Sequence, residues 1–165
     1  MMLIEETNVP QSALPVALFK EHLRLGSGFS DDGLQDDLLE SFLRSAMSAI
    51  EARTGKILIE REFSYTLGAW RDGQAQALPV APVNAISRVS LVDRIGAESV
   101  VPAERYQLVP DMQRPMLRAA GAALPGIPQA GSARIGFLAG FGPDWSDLPA
   151  DLQQAVMLLA AHYYE

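Results

Sequence analysis

The sequence predicts an α+β fold: a small core of three main helices with a β-rich subdomain inserted between the second and the third. Three observations predict it. Residues 34–53 repeat apolar side chains at helical spacing, residues 57–67 switch to a period of two, and a second helical pattern follows Pro149. Between the two helical patterns, short β candidates are separated by Pro79, Pro82, Pro102, Pro110, Pro115, Pro125 and Pro128. Proline this dense favours edge strands and loops over a large central sheet, because each proline removes a ladder donor.

Residues 1–10 read as an extended arm that ends in a loop with Pro10 and Pro15. Pro15 suits the first turn of a helix, where its missing N–H costs nothing. Residues 16–25 then read as helical, with Leu18, Phe19, Leu23 and Leu25 on the apolar side and Gly26-Ser27-Gly28 as the stop. The strongest helix follows. Ser30, Asp31 and Asp32 are candidate caps, and Asp36, Asp37 and Glu40 set negative charge near the positive end of the macrodipole. Leu34, Leu38, Phe42, Ala46, Ala49, Ile50 and Arg53 form its stripe, widened by Leu39, Leu43 and Met47. Gly55 fits the left-handed position after the helix end.

In the period-two segment Ile57, Ile59, Phe63, Tyr65 and Leu67 alternate with Leu58, Glu60, Glu62, Ser64 and Thr66, and Arg61 interrupts the apolar side. Trp70-Arg71-Asp72-Gly73 reads as a turn at a hairpin tip. Further β candidates are 77–80, 86–92, 106–109, 116–118 and 133–139, with a small-residue loop at 119–131. Gly140-Phe141-Gly142-Pro143 closes this region. Pro149 opens the last helix, with Asp147 near its cap and with Leu152, Ala155, Val156, Leu159 and Tyr163 on its buried side. One domain over 1–165 is expected, its helical core at 15–55 and 147–165 and its β subdomain at about 57–139.

Composition removes several function classes. The 165 residues include no cysteine, which excludes disulfides, thiolate metal sites and cysteine nucleophiles. Thirteen Lys and Arg stand against 20 Asp and Glu, a net charge of −7, and no base follows Arg134. Tight nonspecific nucleic-acid binding needs the opposite balance. The start lacks the basic and apolar regions of a secretion signal, and the longest apolar run, 155–161, is far short of the roughly 20 residues of a membrane span. A soluble, cytosolic protein is expected, with no membrane partner.

No catalytic set emerges. His22 and His162 are single histidines on separate helices, which is not metal-ligand spacing. The acids from Asp31 to Glu40 lack the offsets of a calcium loop and fit helix capping better. Gly26-x-Gly28 and Gly140-x-Gly142 lack the strand, third glycine or lysine of a phosphate loop. Glu60 and Glu62, about 7 Å apart by strand rise, have the separation of a hydrolytic carboxylate pair, but they read better as the wet face of an amphipathic strand. No cofactor is expected. Trp70, Arg71, Trp145, Tyr163 and Tyr164 are candidate interface residues, since Trp, Tyr and Arg anchor protein contacts. For Trp145 and Tyr163 the competing reading is that they cap the core.

The order of motifs completes the reading. Leu18-x-Lys20-x-His22-Leu23-Arg24 comes first, then Ile50-Glu51-Ala52-Arg53-Thr54-Gly55-Lys56-Ile57-Leu58. Leu78-Pro79-x-x-Pro82-Val83 follows, with Ile86, Val89 and Tyr106. The chain ends in Leu148-Pro149-Ala150-Asp151-Leu152-Gln153-Gln154-Ala155 and Leu158-Leu159-x-Ala161-His162-Tyr163-Tyr164-Glu165. This ordered set resembles the head–tail connector (adaptor) proteins of long-tailed double-stranded DNA phages, with relatives in prophages and gene transfer agents. The resemblance implies a structural protein and not an enzyme. It implies a twelvefold ring of copies beneath the portal protein, in the neck of a particle assembled in the bacterial cytoplasm. The ring extends the DNA channel, carries stopper or tail proteins, and lets double-stranded DNA pass without specific binding. In that family the segment after the last helix reaches toward the portal, and this sequence stops at Glu165. The rival functions are a ligand- or peptide-binding module and a hydrolase using Glu60 or Glu62.

Overall fold

The computed structural model describes residues 1–23 and 33–165. The chain divides into two compact units: a β unit of Met1–Asn8 and Glu60–Gly140, and a helical unit of Val9–Ile59 and Phe141–Glu165. The expected glycine stop at 26–28, the caps at Ser30, Asp31 and Asp32, and the side chain of Leu34 lie outside the described residues. The class is α+β: the described residues form three α-helices and two antiparallel sheets.

In the helical unit a 3-10 turn at Gln11–Ala13 leads into α1 (Val16–His22), with Pro15 at its N-cap. The long helix α2 (Gly33–Thr54) ends at Gly55, whose φ of +71° is the left-handed conformation glycine adopts without cost. Thr54 Oγ1–H donates to the Ile50 carbonyl at 2.7 Å and accepts from the Lys56 N–H at 3.2 Å, closing the helix end. The third helix, α3 (Ala150–Tyr164), starts after Pro149. The core gathers Phe19, Leu39, Leu43, Ala46, Met47, Leu58, Ile59, Leu148, Val156, Met157 and Ala160.

That core differs from the expected stripes. In α2 the row through Leu39, Leu43 and Met47 is buried, whereas Leu38 is 49% exposed. On α1 Phe19 is fully buried and Leu18 is exposed. On α3 the buried residues are Val156, Met157 and Ala160, and Tyr163 faces out. Each helix offered two adjacent apolar rows, and packing against the other helices selected one. Residues 57–59 also depart from the expected strand: all three are buried, Leu58 included. The Glu51 carboxylate accepts from the Leu58 N–H at 2.8 Å, and the Leu58 carbonyl accepts from the Phe141 N–H at 3.0 Å. This segment belongs to the helical core and not to the sheet.

In the β unit, the larger sheet has the order β1-β2-β8-β4-β5, built from β1 (Met2–Glu5), β2 (Arg61–Leu67), β8 (Ser132–Ala139), β4 (Val83–Val92) and β5 (Glu98–Val100). The smaller sheet has the order β3-β7-β6, from β3 (Ala75–Ala77), β7 (Met116–Ala119) and β6 (Tyr106–Val109). The five-stranded sheet is larger than proline density suggested. The prolines fall between strands, where no ladder donor is needed. The N-terminal arm is a paired edge strand, with Leu3 opposite Tyr65 and Ile4 opposite Ser64. Alternation then sets the faces: on β8 Ala133, Ile135, Phe137 and Ala139 are buried while Arg134 is exposed. Phe63 stacks on Phe137 with ring centres 5.8 Å apart.

Arg61, the residue that breaks the apolar alternation, is only 6% exposed. Its guanidinium donates to the Glu5 carboxylate at 3.0 Å and lies 5.5 Å from the centre of the Phe63 ring. The N-terminal strand thus supplies the counter-ion that a buried arginine requires.

Candidate interaction surfaces

The five candidate interface residues occupy two environments. Trp70 and Arg71 lie in the β unit, in the bend between β2 and β3. This bend is not a hairpin tip, because β2 pairs with β1 and β8 while β3 pairs with β7. Trp70 is half-buried and its indole N–H donates to the Pro125 carbonyl at 2.7 Å. The Arg71 backbone N–H donates to Gln76 Oε1 at 2.9 Å, which leaves the residue itself exposed.

Trp145, Tyr163 and Tyr164 lie in the helical unit. Trp145 begins a 3-10 turn, Trp145–Asp147, fixed by reciprocal capping between Asp144 and Asp147. Its half-buried ring packs against the helical core, and its carbonyl accepts from Gln153 Nε2 at 3.3 Å. With Leu18, Glu21, His22 and Met157 it lines an open groove of about 520 Å³ between α1 and α3. Tyr163 and Tyr164 are 38% and 37% exposed, and the Tyr164 ring meets Phe42 edge-on with centres 6.2 Å apart.

The two carboxylates weighed as a hydrolytic pair have separate surroundings. Glu60 precedes β2, and its carboxylate accepts from Asn84 Nδ2 at 2.6 Å. Glu62 stands on the wet face of the larger sheet and lines a second open groove, of about 470 Å³, with Glu6, Ser64, Arg88, Glu98 and Arg134. In that groove Arg88 pairs with Glu98 at 2.9 Å. A hydrogen bond from Ser90 holds the Glu98 carboxyl below its ordinary value; desolvation opposes it, and the charges of Arg88 and Arg134 add to the lowering. Gly136 forms part of the floor, where a Cβ would come 2.7 Å from the Ser87 hydroxyl oxygen. Sequence reasoning did not find this groove. Its signal was the run of polar residues Arg88 and Ser90 alternating with Val89 and Leu91, but β5, which carries Glu98, is too short to show a period.

Neither histidine has a ligand set around it: both are exposed, and no group of three metal-ligating side chains occurs among the described residues. Among the same residues no helix is long and apolar enough to cross a membrane.

Similarity to known proteins lies among solved structures. No protein-family model matches the chain, and no curated protein matches it in sequence. A chain in the neck of an empty gene transfer agent particle, determined with C6 symmetry, is 56% identical with a TM-score of 0.94, over 99% of this chain and 84% of that one. A chain in the virion of a native gene transfer agent particle is 56% identical with a TM-score of 0.91, again over 99% and 84%. A chain in the neck of a native particle, determined with C12 symmetry, is 52% identical with a TM-score of 0.88, over 99% and 83%.

Proposed function

Since the chain belongs to the family of gene transfer agent neck proteins, we propose that it is a structural head–tail adaptor in the neck of a phage-like particle. It assembles as a ring of twelve copies beneath the portal protein, extends the DNA channel and forms the platform for stopper or tail proteins. The observation that carries this reading is the 52–56% identity to neck and virion chains across 99% of the chain.

Two physical features support it. The first is charge: the helical unit holds eleven acids against five bases, a balance that repels phosphate and lets DNA slide past. The second is the shape of the surfaces. Both grooves are open and shallow, which suits contact between proteins better than enclosure of a substrate. A cyclic ring needs two different patches on each copy. Arg71 with the Trp70 bend supplies one, and Trp145, Tyr163 and Tyr164 supply the other. No residue carries out chemistry in this role.

The test is particle assembly in the native host. Deleting the gene and supplying the tagged protein in trans should restore particles labelled at one vertex in negative-stain micrographs. Arg71→Glu should stop assembly without moving the melting temperature, and the pair Tyr163→Ser with Tyr164→Ser should stop it while lowering the melting temperature slightly, because the Tyr164 contact with Phe42 is lost. Complete particles in the deletion strain, or labelled protein that never joins a particle, would overturn the reading.

A further inference from the structure

The groove between α1 and α3 is lined to receive one kind of cation. Leu18, Met157 and the half-buried ring of Trp145 make its apolar part. Two of its polar groups are acceptors without a donor. Gln153 spends its Nε2 on the Trp145 and Leu148 carbonyls, at 3.3 and 2.9 Å, so its Oε1 is left over. The exposed Glu21 carboxylate has no partner among the described residues. No lysine or arginine lines the groove, and Lys20, next to Glu21 on α1, is paired with Asp36.

A group that satisfies these walls carries positive charge, donates several hydrogen bonds and lies comfortably on an aromatic, apolar surface. Guanidinium meets all three conditions, because it is planar, more weakly hydrated than an ammonium and attracted to the face of an indole. The β unit presents such a group. Arg71 is exposed, and its guanidinium has no partner among the described residues. The bend that carries it is pinned: the Arg71 N–H donates to Gln76 Oε1 at 2.9 Å, the Trp70 indole to the Pro125 carbonyl at 2.7 Å, and the Gln74 N–H to Asp72 Oδ1 at 2.9 Å. A cation on a pinned bend gives up little freedom when it docks.

We propose that the groove between α1 and α3 is an arginine-binding site whose occupant is Arg71 of a second copy of this chain. The guanidinium lies against the Trp145 ring, with Glu21 as its counter-ion and Gln153 Oε1 as a further acceptor. The contact joins two different patches, as a closed ring requires. It deepens the ring reading above and rests on it for its use in the particle.

The chain lacks cysteine, so engineered thiols report the contact. Ala69 and Gln154 are exposed, the first beside the bend and the second on the groove, and neither substitution touches the proposed pair. Tagged Ala69→Cys protein and untagged Gln154→Cys protein, mixed at high concentration with a short bis-maleimide, should give a mixed covalent dimer. Adding Arg71→Glu to the first partner, or Glu21→Arg to the second, should slow that product about tenfold while the melting temperature holds. Arg71→Lys should slow it about threefold, because an ammonium keeps the charge and loses the planar stack. Arg94→Glu, which reverses another exposed arginine of the β unit, should leave the rate nearly unchanged. A rate indifferent to Arg71→Glu or to Glu21→Arg, or one that Arg94→Glu lowers equally, would overturn the proposal. Particle restoration in the deletion strain is read separately. Wild-type protein that fails to restore particles while the cross-link depends on Arg71 would sink the neck reading and leave the contact standing. Restored particles with a cross-link indifferent to Arg71 would do the reverse.

Discussion

The helical unit and the β unit are made from the same chain in opposite ways. The helical unit carries nearly all of the net charge, eleven acids to five bases, while the β unit is close to balanced with nine acids to eight bases. The helical unit is held by an apolar cluster drawn from three helices and from flanking segments that include Leu14, Leu58 and Leu148. The β unit is held by strand pairs such as Arg61 with Ala139 and Glu5 with Phe63, between residues more than fifty positions apart. The difference teaches that the acidity seen in composition is a property of one unit and not a uniform coat.

The comparison breaks most sharply at the two cores. Phe137→Ala in the β unit and Phe19→Ala in the helical unit each remove a fully buried ring. Each should cost about 3–5 kcal/mol in denaturant unfolding. Hydrogen exchange should then speed up in the unit that carries the substitution and not in the other. Faster exchange throughout the chain in both variants would show that the two units unfold as one.

A smaller effect tests the polar latch of the β unit. Glu5→Gln takes the carboxylate from buried Arg61 and should cost about 1–2 kcal/mol, less than a fully buried pair because Glu5 is itself 37% exposed. Amides of β1 should lose protection first. The counterpart in the helical unit is Gly55→Ala. Nothing lies within 4 Å of the added methyl, so the expected loss of about 1 kcal/mol is purely conformational.

The smallest effect is electrostatic. The Glu98 carboxyl titrates below its ordinary value in the folded chain, chiefly through Ser90 and the nearby arginines. Its contribution is therefore present above the ordinary carboxylate range and is lost as pH falls through the lowered value. Glu98→Gln should flatten the acid side of the stability profile slightly and leave the alkaline side unchanged. An identical profile for both proteins would show that the Ser90 hydrogen bond and the exposed Arg88 pair contribute nothing to stability.

Much of the helical unit was legible because its signals are local. Gly55 marks the end of α2, Pro149 the start of α3, and the apolar period lies within each helix. The choice between Leu38 and Leu39 was not legible, since both belong to apolar rows and the decision rests with the facing helices. In the β unit the alternation of 61–67 and 133–139 was plain, but its partners were not. The bend at Trp70 read as a hairpin tip because sequential strands usually pair, and here β2 and β3 enter different sheets. The first strand was hidden by its own composition: Met1, Met2, Leu3 and Ile4 have no alternation, because both faces of that edge are exposed.

The sequence by itself determined the α+β class, the lack of thiol chemistry, the acidic balance and the two long helices, since each follows from composition or from contacts a few residues apart. The tertiary structure decided which apolar row is buried, that Leu58 joins the helical core, that Arg61 is buried beside Glu5, and that the N-terminal strand forms one edge of a five-stranded sheet. The physical reason is range: period and capping act within a turn or two of chain, whereas burial and strand pairing depend on residues that the fold alone brings together.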